Sequence, residues 1–109
     1  MMSKAATWEG RRALTDNPAA SPEAFRRAGR ELFGMNQLAE ALELMVRAGD
    51  EEGLLLIRER AVEEGHFFLY QGVAAKLGGV QRDDLEKLAA AAEKNGQALY
   101  AAQARALIG

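Results

Sequence analysis

The sequence predicts an all-α protein, a short right-handed α-solenoid of antiparallel helix pairs with a repeat of about 31 residues and six or seven helices. Three observations lead there. Gly34, Gly65 and Gly96 stand at equal separations, and each closes one helical pattern just before another begins. The registers counted from these glycines agree: the fourth residues on are Leu38, Leu69 and Tyr100, the eighth Leu42, Val73 and Ala104, the twelfth Val46, Leu77 and Ile108. Backwards, Leu54 matches Leu85, Ile57 matches Leu88 and Ala61 matches Ala92, whereas Glu23, Arg26 and Arg30 break the pattern in the first copy. Terminal repeats face water on one side and depart from the consensus, which accounts for the break. Finally, the apolar stripes are joined by one to three residues, so successive helices are expected to run antiparallel.

Each element has its own signals. Ser3 is a cap for a short helix from Lys4 to about Thr15, ended by Asp16, Asn17 and Pro18. Ser21, Pro22 and Glu23 supply a cap, a proline at the first helical position and an acid at the positive dipole end of a helix reaching Phe33. A third helix covers about Asn36 to Ala48, with Leu38, Leu42, Met45 and Val46 on one face, and Gly49 closes it. Asp50, Glu51 and Glu52 open the next, which ends at Gly65. His66 to about Leu77 carries Phe67, Phe68, Leu69, Tyr70, Val73 and Leu77, apolar around most of its circumference, and is expected to be the most buried helix. Gly78 and Gly79 make a turn before a helix from Arg82 to Asn95, with Leu85, Leu88, Ala89 and Ala92 inward. Gln97 to Ile108 forms the last.

A polypeptide of 109 residues holds one core, so residues 21–109 are read as a single helical-repeat domain preceded by an N-terminal segment, 1–20. Only two prolines, and few β-branched residues, suit helix. The absence of cysteine removes disulfides, thiolate metal sites and thiol nucleophiles, and fits a reducing cytosol. No stretch approaches the ~20 apolar residues that span a bilayer, and the first ten residues lack a signal-peptide core, so a soluble, cytoplasmic protein without a membrane partner is expected.

Helix pairs of this length, with a small residue (Ala41 or Gly72) midway along the first helix and alanines in the second, resemble tetratricopeptide-like solenoids, and still more the looser helical repeats of clathrin heavy chain. The resemblance covers about residues 21 to 109 and is one of architecture. It implies an adaptor or scaffold whose first-of-pair helices line a groove for another protein or peptide. Groove positions then fall two, five and nine residues after each glycine: Asn36, Ala39 and Glu43; Phe67, Tyr70 and Ala74; Ala98, Ala101 and Arg105. Phe67 and Tyr70 are the expected anchors, as aromatics three apart on one helical face. The alternative is that both are core. Tyr70→Ala leaves stability unchanged in the groove reading, while Leu69→Ala costs about 2–5 kcal/mol as a core residue.

No catalytic constellation, cofactor motif or metal site is expected. His66 is the only imidazole, Gly65 interrupts the helix between it and Glu63, and no glycine-rich phosphate loop follows a strand. The imidazole is read instead as a helix-start residue meeting free backbone groups. Nucleic-acid binding is the alternative function. A helix-turn-helix at Gly49 is disfavoured because its recognition helix opens with Asp50, Glu51 and Glu52, where phosphates require cations. A basic face of Arg26, Arg27 and Arg30, with Arg11 and Arg12, keeps the alternative open for RNA or for an acidic protein. Leu99, Leu107 and Ile108 on the last helix offer a surface for self-association.

Overall fold

The computed structural model describes residues 21–109, and the expected helix from Lys4 to Thr15, with Arg11 and Arg12, lies outside them. The described residues form six helices and no strand: α1 (Pro22–Gly34), α2 (Leu38–Ala48), α3 (Glu51–Glu64), α4 (Phe67–Lys76), α5 (Arg82–Lys94) and α6 (Ala98–Ile108). The protein divides into two compact units, one up to Leu54 and one from Leu55 onward, so that α3 begins in the first and continues through the second.

In the first unit α1 packs against α2. Ser21 caps α1 by accepting the Ala24 N–H at 3.2 Å, and Pro22 occupies the first turn, where its missing donor is not needed. Phe25, Ala28 and Leu32 point inward from α1, and Leu38, Ala41, Leu44 and Met45 from α2. Gly29 lets the two backbones close up, since a methyl group there would crowd the Met45 side chain at 3.0 Å. Val46, expected on the buried face, is exposed and Leu44 takes its place inside. Steps of four residues advance 400° around a helix with 100° per residue, so a stripe counted in fours drifts off the buried face by its third member.

In the second unit α5 packs against α6, and α4 also touches α6. Ile57 and Ala61 of α3, Tyr70 and Val73 of α4, Leu88 and Ala92 of α5, and Ala104 of α6 are fully buried. The end of α3 sits directly on α5: a methyl group on Gly65 would collide with the backbone of Ala91 and Ala92. Asn95 adds a hydrogen bond from its side-chain amide to the Glu64 carbonyl at 3.1 Å.

The spacing of the left-handed turns differs from the sequence reading at the first of them. Gly34 is the last residue of α1, whereas the residue that turns the backbone is Asn36, at φ 61°, equivalent to Gly65 at 69° and Gly96 at 75°. Asparagine is among the few residues other than glycine that adopt the left-handed conformation readily. Each is followed by a cap of similar geometry, Gln37 (φ −96°, ψ 73°), His66 (−89°, 86°) and Gln97 (−97°, 64°). The first spacing is therefore 29 residues and the second 31. On this register Phe25, Leu54 and Leu85 are equivalent and buried, as are Ala28, Ile57 and Leu88, and Leu32, Ala61 and Ala92. The apparent irregularity of the first copy is a two-residue offset, and Glu23, Arg26 and Arg30 never belonged to its inward face. The stretch from helix cap to left-handed turn is 15 residues in all three cases, Ser21 to Asn36, Asp50 to Gly65 and Gln81 to Gly96. The two extra residues lie in the turn after α4, where Gly78 and Gly79 both hold positive φ.

Candidate functional site

Phe67 and Tyr70, read from the sequence as either groove anchors or core, are buried side chains of the second unit. Their positions explain why. In the observed register Tyr70 is equivalent to Ala41 and Ala101, all buried, so offset five faces inward in α2, α4 and α6; offset nine is buried as Met45 and Ala74 but exposed as Arg105. The Tyr70 hydroxyl accepts the Gln81 N–H at 3.0 Å and donates to Asp84 Oδ2 at 3.0 Å, tying the turn before α5 to α4. Burial pushes this phenol above its ordinary value; the Gln81 N–H pulls the other way, and the neighbouring Asp84 carboxylate raises it further. Arg58 lies 3.9 Å from the same carboxylate and completes a polar network inside the unit.

The basic face is similarly altered. Arg30 donates Nε and a terminal nitrogen to the two oxygens of Asp50, at 2.7 and 3.0 Å, and Arg26 approaches the same carboxylate at 3.9 Å. Asp50 is buried, and its Oδ1 also accepts the Gly53 N–H at 3.1 Å as the cap of α3. Arg30 holds this carboxyl below its usual range, opposed by burial and assisted by the Gly53 N–H and by Arg26. Gly53 makes the arrangement fit, because a methyl group there would press on the Asp50 carboxylate and on Met45 Sδ. Arg27 is exposed. The pairing of Arg30 with Asp50, 20 residues apart, is not legible from spacing; the only sequence signal is an aspartate in a cap position with glycine three residues on.

His66 caps α4, its Nδ1 accepting the Leu69 N–H at 3.3 Å, and its ring stacks on Tyr100 with centroids 5.5 Å apart. That stack sets the first turns of α4 and α6 side by side. Phe68 and Leu99, each three residues after a left-handed glycine, are 74 % and 70 % exposed on α4 and α6. The rest of the outer face is Gln71, Gly72, Ala75 and Lys76 on α4, and Ala102, Gln103, Ala106 and Leu107 on α6, all exposed. This face carries a single cationic group and no acid, whereas the exposed side of α5 has Arg82, Asp83, Glu86, Lys87, Glu93 and Lys94. The helix expected to be enclosed is therefore open along one side, and Phe68, indistinguishable in the sequence from its apolar neighbours, is its most prominent exposed group. Elsewhere an open groove of about 430 Å³ is lined by Leu55, Val62, Arg58, Lys87 and Asp84, and mixes charges of both signs.

Among the described residues no helix is long and apolar enough to cross a membrane. No family model, curated protein or solved structure matches the sequence.

Proposed function

We propose that the protein is a non-enzymatic protein–protein interaction module, an adaptor or scaffold that offers the uncharged outer face of α4 and α6 to another protein or peptide. The observation that carries this reading is the exposure of Phe68 and Leu99 at equivalent positions of neighbouring helices. Interface centres are depleted of charge and enriched in aromatic residues, and truncating such anchors removes most of the binding energy. Gly72, Ala75, Ala102 and Ala106 add a low surface on which a partner backbone can come close. The arrangement of the helix pairs as a right-handed solenoid, of the kind the tetratricopeptide-like and clathrin-like repeats have, belongs to the same proposal, as does a cytoplasmic setting. The basic-face alternative is weakened because Asp50 engages both Arg26 and Arg30.

Self-association is a second reading with its own support. Leu107 is 48 % exposed in the last turn of α6, on the same outer face as Leu99. The double substitution Phe68→Asp with Leu99→Asp tests the main reading. Partner recovered by the wild-type protein and lost by a folded double variant supports it, and undiminished recovery rejects it. Sedimentation over a range of concentrations tests the second reading: a wild-type dimer abolished by Leu107→Asp supports it, and a monomer throughout removes it.

A further inference from the structure

We propose that Asn95 is a site of spontaneous covalent modification, converting to aspartate and isoaspartate through the amide of Gly96. The sequence has asparagine at 17, 36 and 95, followed by Pro18, Gln37 and Gly96 in turn. The nitrogen of Pro18 carries no proton to lose and cannot attack, and a glutamine side chain shields the one behind Asn36. Gly96 has no Cβ to shield its backbone nitrogen, and the space a methyl group would fill there is empty to 4 Å, so once its N–H leaves the Glu93 carbonyl it meets water and hydroxide unhindered. Asn95 is itself exposed, at the end of α5 where helices fray.

The step balances without a further reagent. Hydroxide takes the Gly96 amide proton, the nitrogen attacks Asn95 Cγ, and the bond from Cγ to Nδ2 breaks with loss of ammonia to leave a five-membered imide. Water then opens the ring at either carbonyl, which returns a normal aspartate or a backbone lengthened by one carbon. Two contacts hold the reactant in place: the Gly96 N–H is bonded to the Glu93 carbonyl at 3.1 Å and the Asn95 amide to the Glu64 carbonyl at 3.1 Å. Reaction therefore starts from the frayed end of α5, and its product cannot restore the second contact. A carboxylate has no proton for the Glu64 carbonyl, and it brings a negative charge to the C-terminal ends of both α3 and α5, where the helix dipoles oppose it. Conversion at Asn95 loosens the junction of α3 with α5 in an irreversible, time-dependent way.

Mass analysis of the full-length protein, incubated at mildly alkaline pH and sampled over time, reads the proposal directly. The expected result is amide-to-acid conversion with isoaspartate at position 95, none at 17 or 36, and much less conversion over the same time at position 95 in Asn95→Gln, whose six-membered ring closes more slowly. Position 95 keeping its amide in the folded protein while the urea-unfolded protein converts overturns the site, because the fold then holds it shut. The structural consequence is read separately by urea unfolding of Asn95→Asp, expected to show a lower midpoint than wild type. An unchanged midpoint overturns the loosening.

Discussion

At the scale of single residues, buried charge and glycine geometry give the sharpest expectations. Because Arg30 keeps the Asp50 carboxyl below its usual range, the folded state binds a proton there less readily than the unfolded state. That contribution is fully present above the ordinary aspartate value of about 3.9 and disappears as pH falls through the lower folded value. Asp50→Asn keeps a capping oxygen and deletes the charge, so it should cost about 1.5–3 kcal/mol at neutral pH, the range for hydrogen bonds to charged groups. Below pH ~3.9 its deficit should shrink. Urea titrations of both proteins across that range check it. Tyr70→Phe leaves the ring in place and strips the Gln81 N–H and Asp84 of their shared partner, a loss of about 1–3 kcal/mol by the same measurement. Tyr70→Ala, harmless in a groove, should cost as much as any large core truncation now that the ring is seen to be enclosed.

The left-handed turn residues Gly65 and Gly96 separate backbone strain from packing. Gly96→Ala meets open space and should cost only the conformational term, about 1–2 kcal/mol. In Gly65→Ala the same term is joined by collision with the α5 backbone, so the loss should reach roughly 2–5 kcal/mol. Thermal or urea midpoints of the pair decide whether α3 is seated on α5 as described.

Among the elements, α5 has a deficiency that can be repaired. Its cap residue, Gln81, sits in extended geometry (φ −119°, ψ 139°) and makes no side-chain bond to the first turn, while Ser21, also extended, caps α1. Gln81→Ser keeps the backbone N–H that the Tyr70 hydroxyl accepts and adds the missing acceptor. A gain of about 1 kcal/mol in unfolding free energy is expected, measured by urea denaturation. The elements are also the most legible part of the sequence. Pro22 behind Ser21, the acids after Asp50 and the glycines after α2, α3 and α5 are local signals, and local signals survive whatever distant segments do. Gly34 shows their limit: a glycine can end a helix as its last residue without being the turn, and the asparagine two places later takes that role.

For the molecule as a whole, the exposed face of α4 and α6 is the feature with functional weight. Phe68→Asp with Leu99→Asp should change stability by less than about 0.5 kcal/mol, as surface substitutions do, while altering recognition. Circular dichroism melts alongside the binding test distinguish a lost surface from a lost fold. This surface is illegible in the sequence because the first turn of α4 is apolar all round. Phe67, Phe68, Leu69 and Tyr70 follow one another without a polar residue, so periodicity offers no basis for choosing which of them face inward.

Helical class, the order of the helices and their ends to within two residues were determined by the sequence alone, since caps, turns and an amphipathic period act over a few neighbouring residues. Only the tertiary structure decided that Tyr70 is enclosed and Phe68 is open, that Arg30 closes on Asp50, and that the left-handed turns stand 29 and then 31 residues apart. Burial and ion pairing depend on which atoms another helix brings near, and that proximity is made by packing between segments well separated in sequence, as with Tyr70 and Asp84 or Glu64 and Asn95.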